Sequence, residues 1–467
     1  MSPQSNRGGY TMPGQIAQEI IARYESRLAR SRSLDAAAKN YLPGGDTRST
    51  TYILPYPAYM ARGEGCYLYD VDGNRYIDFL NNYTSLIHGH GNPAVLEAAE
   101  TQMRRGTVFG APAAAQYELA EIICERVPGI ERVRFNNSGT EATMMAMRAA
   151  RAYTGKDLII KMDGGYHGHH DFAGVNVKPD FAATDLPAAS ITWDGIPACV
   201  LDGMRIAPFN DLAAAERVLQ ANQGQVAAII VEPMMGAGGA IAPLPGYLEG
   251  LRALADKHGV LLIFDEIITF RLSLGGYQKI SGVIPDLTCL GKIIGGGFPV
   301  GAFGGKQAVM ARFDPAHPQT IYHGGTFCGH AVTMAAGAAT LKLYGEPEIG
   351  RINALGERLA AGVNAAFAEA GLRGRASGAG SLVQVHWTDQ VATNSRQALL
   401  AMGRAKDLPR LLHLELMNRG VFCATRGLFS VSTPMTEAEI DQAAEAVAGT
   451  LQLLKPHAAE VAPHLVI

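Results

Sequence analysis

The sequence predicts an α/β fold in which a large domain built on a parallel sheet is followed by a small α+β domain. Between Arg132 and about Tyr344, short apolar runs alternate with helix-like segments, and the runs are RVRF, LIIKM, AAIIVEP, VLLIFDE and DLTCL. This alternation is typical of parallel strands with crossover helices, whose ligands bind at the carboxyl ends of the strands. After about Gly345, helix-like segments flank two strand-like runs, Ser381–Trp387 and Gly427–Ser432.

The composition favours a protein that folds in water inside a reducing compartment. The 467 residues are 48% hydrophobic and 18% charged, with a net charge of −3. That charge gives no sign of the basic surface with which proteins bind nucleic acid or an anionic membrane. No apolar run approaches the roughly 20 residues of a membrane helix. The six cysteines are scattered without a CxxC pair, and the start, MSPQSNRGGYTMPGQ, is polar rather than a signal peptide. We therefore expect a cytoplasmic protein.

The N-terminal part predicts a helix, an extended arm and a hairpin. Apolar residues on one face predict a helix from Gln15 to about Asn40. The next segment, Tyr41 to Ala61, is too rich in proline and glycine for regular helix and predicts an arm. Two alternating runs around Asp72-Gly73 predict a hairpin over Tyr67–Asp78.

Lys292 is the first candidate catalytic residue. It lies between a strand-like run, Leu287 to Leu290, and three glycines, Gly295 to Gly297. Glycines let a bulky group approach closely, and apolar walls lower the pKa of an amine, which makes it available for a Schiff base. The alternative is a surface lysine in a glycine-rich turn. Because Ile293 follows the lysine, the stretch is not a Walker phosphate loop.

A phosphate site is predicted where the run FNNSGTEA leads into a helix. Ser138, Gly139 and Thr140 fall at the start of that helix. Free backbone N–H groups and two hydroxyls would converge there on an anion. The alternative is a helix cap without a ligand.

The run GGYHGHHD, from Gly164 to Asp171, allows two interpretations. Its histidines suggest zinc, but His169 and His170 are adjacent and would diverge in most backbones. We instead expect Tyr166 and His167 to form an aromatic platform against a planar ring, and we expect no metal.

Two acidic residues end predicted buried strands. Asp265 ends the apolar run of VLLIFDEIITFR, and Glu232 ends that of AAIIVEP. A carboxylate in such a place needs a cationic partner, which a protonated pyridine nitrogen would supply. The alternatives for Asp265 are a core arginine partner or a helix cap. Glu232 would join a polar network around the same ring.

In this order, the motifs resemble those of the class III, fold-type-I, pyridoxal-phosphate (PLP)-dependent aminotransferases. The resemblance runs from about Tyr41 to Pro434 and rests on SGTEA, GYHG, VEP, FDE followed by TFR, LGK and GGTF. It implies a large domain with a mostly parallel, seven-stranded sheet flanked by helices. It also implies three parts: residues 1–75 as an N-terminal helix and arm that pack with the small domain, 76–345 as the PLP-binding domain and 346–467 as the small domain.

The resemblance also implies roles for individual residues. Lys292 would form the internal aldimine with PLP, and Asp265 would pair with the ring nitrogen. The remaining cofactor contacts would come from Ser138, Gly139 and Thr140 at the phosphate, Tyr166, His167, Glu232 and Ile267 around the ring, and Thr326. Thr326 would reach the phosphate from the neighbouring subunit, because the family builds its sites at the interface of a homodimer.

Two branches of the family resemble this chain most. The runs PDLTCLGKIIGGGFPVGAFGG and IIKMDGGYHGHHD are similar to glutamate-1-semialdehyde aminomutase. The shorter TFR after Asp-Glu, the arm YLPGGDTRSTTYILPYPAYMARGEG and the run VFCATRGLFSVSTP are similar to aromatic β-amino-acid (β-phenylalanine) aminotransferases. An Asp-Thr-Arg arm also occurs in D-phenylglycine-type α-aminotransferases.

Two arginines favour an aminotransferase over an aminomutase. A ping-pong transaminase holds two different substrates in turn over the same lysine, so Arg48 on the arm and Arg426 before Gly427 would bind the two carboxylates. Tyr83 would bound the same pocket. The expected reaction moves an amino group from a β-amino acid to 2-oxoglutarate or pyruvate. The alternatives are an Arg48–Asp46 pair, a surface role for Arg426, another PLP reaction such as decarboxylation or racemisation, and cofactor binding without turnover.

Overall fold

The structure is a computed structural model, and it describes residues 14–179 and 186–467. The polar start of the chain, on which we based the absence of a signal peptide, lies mostly outside the described residues. None of the described helices is long and apolar enough to cross a lipid bilayer. The longer helices are Gln15–Arg27, Ala29–Ala38, Pro93–Arg105, Ala114–Arg126, Gly139–Thr154, Leu212–Ala221, Tyr247–His258, Ala331–Leu343, Glu346–Ala370, Ser395–Arg404, Leu408–Asn418 and Glu437–Val461.

The N-terminal helix differs from the sequence prediction. One helix was expected from Gln15 to about Asn40, whereas the structure has two, Gln15–Arg27 and Ala29–Ala38. The chain leaves helical geometry at Leu28, with φ −125° and ψ 41°. The carboxylate of Asp72 accepts N–H groups from the first turn of the second helix at 2.6 and 3.0 Å. This capping contact favours a new helix start over continuation.

The predicted hairpin is present and belongs to a small sheet. Its strands are β2 (Tyr67–Asp70) and β3 (Arg75–Asp78), which pair antiparallel after β1 (Met60–Glu64). A short strand from the C-terminal part, Val421–Phe422, pairs parallel with β3. The hairpin is therefore joined to the C-terminal part of the chain through hydrogen bonds.

The large sheet has seven strands, as expected, and one of them is reversed. Its strands in chain order are β4 (Arg132–Asn136), β5 (Leu158–Met162), β6 (Met204–Ala207), β7 (Val226–Val231), β8 (Leu261–Asp265), β9 (Leu287–Gly291) and β10 (Gly301–Gly305). The spatial order is β4-β10-β9-β8-β7-β5-β6, and β10 runs antiparallel to both of its neighbours. The loops after β4, β5, β7, β8 and β9 carry the candidate residues to one edge.

Strand β10 was not predicted, because its sequence, GAFGG, has three glycines and only one strand-forming side chain, that of Phe303. The structure explains the glycines by close approach. A Cβ on Gly301 would lie 1.9 Å from the carbonyl oxygen of Ser138, and one on Gly305 would lie 2.2 Å from that of Asp286. Gly301 thus lets the candidate phosphate turn lie directly on the sheet.

The C-terminal part contains an antiparallel sheet covered by helices. Its strands are Arg375–Ala379, Leu382–His386 and Leu428–Ser430, so both predicted runs form strands and a third joins them. Arg271 links this sheet to the large one. Its side chain is buried, and its Nε donates to Ser381 Oγ at 3.0 Å.

Candidate active site

Lys292 follows directly after β9 and points toward the turn that follows β3. Its Nζ donates to the backbone carbonyl oxygen of Tyr83 at 2.6 Å. Burial lowers the pKa of its ammonium group to about 8, and the charge of Arg426 adds to the shift. Lys292 also has a φ of 53°, which is uncommon for a side chain of this size. A neutral amine is therefore accessible near physiological pH, as a Schiff-base lysine requires.

Asp265 ends β8 and is almost fully buried, at 4% exposure. Its Oδ2 lies 2.7 Å from His167 Nδ1, and its Oδ1 accepts the N–H of Ile267 at 3.2 Å. Burial raises the pKa of Asp265 to about 7 and lowers the pKa of His167 to about 3. A neutral imidazole therefore fixes the carboxylate without neutralising it. The sequence had assigned His167 to an aromatic platform with Tyr166, and it gave no sign of this hydrogen bond.

Tyr166 and Glu232 hold the two adjacent loops together. The backbone N–H of Tyr166 donates to Glu232 Oε1 at 2.9 Å, and that of Gly236 donates to Oε2 at 2.9 Å. Burial raises the pKa of Glu232. Tyr166 is 40% exposed at the edge of the site, a position from which its ring can cover a planar ligand.

The start of helix Gly139–Thr154 forms the candidate phosphate site. Ser138 caps the helix, since its Oγ accepts the N–H of Glu141 at 3.2 Å. The first backbone N–H groups of a helix have no intrahelical partner and can bind an anion. A Cβ on Gly139 would lie 2.6 Å from Ile267 Cδ1, so the predicted ring-backing residue lies directly beside the predicted phosphate residue. Thr140 Oγ1 is 3.1 Å from His169 Nδ1.

Glu141 was missed as part of this turn. Its carboxylate accepts the N–H of Asn137 at 2.7 Å and bonds Ser138 Oγ at 3.2 Å. The spacing Ser-Gly-Thr-Glu is that of a capping box, which could have identified the residue from the sequence. Ser138 thus caps the helix, as the alternative expected, and the same helix start can still bind a phosphate.

The histidines of the run Gly164–Asp171 form hydrogen bonds with neighbouring side chains. His167 bonds Asp265, His169 bonds Thr140, and His170 Nε2 lies 3.4 Å from Thr143 Oγ1. No cluster of three metal-ligating side chains occurs within residues 14–179 and 186–467.

The two predicted substrate arginines lie on different parts of the chain. Arg48 is exposed on the arm, and its Nη1 donates to Asn82 Oδ1 at 2.9 Å. Arg426 is half-buried, and its Nη1 donates to the carbonyl oxygen of Ala237 at 2.8 Å. Burial lowers the pKa of Arg426, while the nearby side chains of Tyr83, Glu232 and Tyr166 oppose that shift. Arg426 therefore faces the same space as the candidate ring-binding residues.

Tyr83, the predicted substrate residue, lies next to Lys292, whereas Thr326, the predicted cross-subunit residue, lies in an exposed loop. The hydroxyl of Tyr83 donates to the carbonyl oxygen of Thr50 on the arm at 2.6 Å, and its backbone contacts Lys292. Thr326 is exposed in a loop whose His323 and Cys328 contact Asn136 and Asn137, next to the phosphate turn. That Thr326 reaches a second subunit stays a prediction.

The residues present fit PLP. Among the described residues, only the neutral His167 lies within ion-pair distance of Asp265, while the charge of Lys292 acts on it from further away, so the buried carboxyl group has room for a cationic partner. Gly139 lies directly beside Ile267, and the side chain of any larger residue at position 139 would occupy the space next to Ile267. Asp265 would hold the ring nitrogen, the helix start would hold the phosphate, and Lys292 would attach the cofactor.

Comparisons with known proteins agree with this geometry. The family model described as aminotransferase class-III matches residues 51–451. A glutamate-1-semialdehyde 2,1-aminomutase from Roseiflexus castenholzii is 41% identical over 435 residues, which are 91% of this chain and 98% of the relative. Further curated relatives at 40–45% identity carry the same name.

Solved structures of similar shape include transaminases. An omega-transaminase from Sphaerobacter thermophilus has a TM-score of 0.87 at 43% identity, covering 90% of this chain and 97% of that one. A β-phenylalanine aminotransferase from Variovorax paradoxus has a TM-score of 0.85 at 36% identity, covering 95% and 98%. With the family match over most of its length, this chain belongs to the class III aminotransferases, PLP-dependent enzymes of fold type I.

Proposed function

We propose that this enzyme transfers the amino group of a β-amino acid with an aromatic side chain to 2-oxoglutarate or pyruvate. The observation that carries the proposal is the pair of arginines. Arg48 is held on the arm by Asn82, and Arg426 is held by the loop after β7. The carboxylate of a β-amino acid lies one carbon further from the amine than that of the α-amino acid formed from 2-oxoglutarate or pyruvate. Two cations on separate elements can suit these two geometries, each by a bidentate pair.

The other candidate residues supply the chemistry common to the family. When bound, PLP supplies an electron sink for the carbon that carries the amino group. Lys292 would attach the cofactor and then move the proton at that carbon, since its pKa of about 8 suits a general base near neutral pH. Asp265, oriented by His167, would keep the proton on the ring nitrogen. Tyr166 would cover the ring and limit water access.

A cavity beside the arm supports an apolar donor. Its volume is about 530 Å³, and it lies between the arm and the C-terminal part. Arg48 and Tyr83 border it, and most of its wall is carbon, contributed in part by Leu42, Ile53 and Phe422. A guanidinium next to an apolar wall suits the carboxylate and the ring of an aryl-substituted amino acid. Lys292, Asp265 and Arg426 do not line this cavity, so its support for such a donor comes from Arg48 and Tyr83 alone.

The aminomutase is the second candidate. The names of the curated relatives, at 40–45% identity, favour glutamate-1-semialdehyde 2,1-aminomutase over the β-amino-acid transaminase. An aminomutase returns the amino group to the same carbon skeleton, so it consumes no keto acid. The two candidates therefore differ in a measurable stoichiometry.

The test is to add single substrates to the purified holoenzyme and follow the cofactor absorbance. We expect β-phenylalanine to convert the cofactor to its amine form and 2-oxoglutarate or pyruvate to restore it. Isomerisation of glutamate-1-semialdehyde without a keto acid, with β-phenylalanine inert, would establish the aminomutase instead. D-Phenylglycine as the better donor would establish an α-aminotransferase.

Arginine variants test the division of labour within this reaction. We expect Arg48→Ala to lose the donor half-reaction and Arg426→Ala to lose mainly the 2-oxoglutarate half. Each loss should be tens- to thousandfold, about 2–5 kcal/mol for one charged hydrogen-bonded contact. Arg62→Ala is the matched control, because Arg62 is exposed and pairs with Glu64. Equal damage to both halves by both variants would contradict the two-arginine arrangement.

A further inference from the structure

Four consecutive residues after β3 form a left-handed turn. Asn81, Asn82, Tyr83 and Thr84 have φ values of 48°, 47°, 56° and 73°. Left-handed backbone is uncommon for a single non-glycine residue, and it normally occurs as isolated residues rather than runs. Strain of this kind persists only where the surroundings fix it, and it concentrates at functional sites.

Hydrogen bonds in the protein interior hold the turn in place. Asn81 has no exposed surface, and its side-chain amide donates to the carbonyl oxygen of Ser430 at 2.7 Å. One oxygen of Asp78 accepts the N–H groups of Leu80 and Asn81 at 2.9 and 2.8 Å. The N–H of Thr84 donates to the carbonyl oxygen of Leu80 at 3.0 Å. Relaxation to a right-handed turn would break these contacts.

The turn contacts the lysine and the arm at the same time. The carbonyl oxygen of Tyr83 accepts Lys292 Nζ at 2.6 Å, and the hydroxyl of Tyr83 donates to the carbonyl of Thr50 at 2.6 Å. The side-chain oxygen of Asn82 accepts Arg48 Nη1 at 2.9 Å. The carbonyl direction depends on the left-handed dihedrals, because a right-handed turn would point it elsewhere.

We propose that the turn Asn81–Thr84 is a positioning element that holds the free amine of Lys292 through the Tyr83 carbonyl and holds Arg48 through Asn82. The strained backbone thereby fixes the distance between the amine that attaches the cofactor and the cation that binds the donor carboxylate. Neither Asn82 nor the Tyr83 carbonyl belongs to the reacting set. The Arg48 part rests on the proposed function, whereas the Lys292 part requires only that Lys292 attaches PLP.

The Lys292 part predicts a change in the titration of its amine. Four charged groups face this amine: Arg426 and Arg271 lower its pKa, and Asp265 and Glu232 raise it. An acceptor at 2.6 Å favours the protonated form as well. Loss of the Tyr83 carbonyl from this position should therefore lower the pKa, with the four charged groups unchanged.

The first experiment compares Thr84→Pro with Thr84→Gly in the apoenzyme. Proline fixes φ near −65° and has no N–H, so it displaces the peptide that carries the Tyr83 carbonyl, whereas glycine accepts the observed φ of 73°. The readout is the rate of PLP attachment against pH, followed by absorbance, with Lys292→Ala as the blank. We expect the midpoint of Thr84→Pro to fall by about one pH unit and that of Thr84→Gly to match wild type. An unchanged midpoint in folded Thr84→Pro would overturn this part.

A second variant covers the case in which Thr84→Pro does not fold. Asn81→Ala keeps the Tyr83 carbonyl but removes the amide that donates to Ser430 and holds the turn, and alanine disfavours the φ of 48° at this position. We therefore expect the midpoint to fall in the same direction. A folded Asn81→Ala enzyme with the wild-type midpoint would also overturn the Lys292 part.

The second experiment tests the Arg48 part with Asn82→Gly. Glycine keeps the left-handed backbone and removes the side chain that holds Arg48. We expect the KM for the carboxylate donor to rise about tenfold or more, with kcat within about twofold and the midpoint of PLP attachment unchanged. In the Arg48→Ala background the same change should have no further effect, because the shared contact is already lost. An unchanged KM, or additive losses, would overturn it.

The two experiments also separate this inference from the proposed function. If no β-amino acid is a donor, the proposed function fails, yet the pH dependence of PLP attachment still tests the turn. If β-phenylalanine is a donor and Thr84→Pro behaves as wild type, the turn has no positioning role and the proposed function stands.

Discussion

The cost of burying Asp265 gives a quantitative prediction about the cofactor-free protein. Asp265 has an ordinary pKa of 3.8 that burial raises to about 7. Between these values the folded protein keeps a proton that the unfolded chain has lost, so stability falls as pH rises. At about 1.4 kcal/mol per pKa unit, the loss between pH 4 and pH 8 is about 4 kcal/mol. His167 contributes the opposite slope between about pH 3 and pH 6.5, since burial lowers its pKa from 6.5 to about 3, and this contribution is present in both proteins compared below.

The substitution Asp265→Asn isolates this contribution, because both proteins share every other titrating group. We expect the free energy of unfolding of the Asn variant, relative to wild type, to improve by about 4 kcal/mol between pH 4 and pH 8. Any loss from imperfect hydrogen bonding to His167 is independent of pH and cancels in the comparison. The assay is urea denaturation of both apoenzymes, monitored by circular dichroism at each pH.

Asp286→Asn is the matched control, since it should show no trend over the same range. Asp286 is also buried, at 3% exposure, but hydrogen bonds from Lys306, Arg252 and the N–H of Leu262 outweigh burial and lower its pKa. Its carboxylate therefore stabilises the fold above its unfolded pKa of 3.8, and this contribution is nearly complete at pH 4. The stability difference between Asp286→Asn and wild type should stay nearly constant from pH 4 to pH 8, and an equally constant difference for Asp265→Asn would refute the reasoning.

Three further predictions concern the cofactor and the assembly. Lys292→Ala should abolish transamination while the phosphate site still holds PLP, so borohydride should no longer fix the cofactor to the protein; wild-type turnover in this variant would contradict the assignment. Gly139→Ala should weaken PLP binding about tenfold or more, because its Cβ would lie 2.6 Å from Ile267 Cδ1, whereas Gly350→Ala, which has nothing within 4 Å, should bind PLP normally. The active protein should sediment as a homodimer with Thr326 at the interface, and a fully active monomer would disprove this.

The sequence predicted five of the seven strands of the large sheet, and it missed Met204–Ala207 and Gly301–Gly305. The apolar runs that end in Asp265, in Glu232 or just before Lys292 are recognisable as strands, because they are as long as a strand and apolar throughout, as a buried strand must be. Parallel topology then brings those ends together. The glycine strand Gly301–Gly305 was missed, since its residues serve the close approach of Ser138 and not strand propensity.

The sequence could not predict which neighbours each site residue would bond. His167 looked like one member of an aromatic pair, yet its ring bonds Asp265 on a strand far along the chain. Arg426 was expected to bind a substrate carboxylate or to lie on the surface, and the sequence gave no sign that it bonds the carbonyl oxygen of Ala237. Such contacts depend on how loops that are distant in the sequence approach each other, and a local sequence pattern carries no information about that.

The left-handed turn Asn81–Thr84 shows why the remaining features escaped prediction. Nothing in Asn-Asn-Tyr-Thr marks four successive positive φ values, because local preferences favour right-handed backbone for Tyr83 and Thr84. The turn exists because contacts from Ser430 and Asp78 over-determine it. The same holds for Lys292, whose own φ of 53° is fixed by its surroundings. The left-handed turn and the left-handed Lys292 therefore meet at the Tyr83 carbonyl, which accepts the Lys292 amine. This is why we assign the turn a role in positioning and not merely in folding.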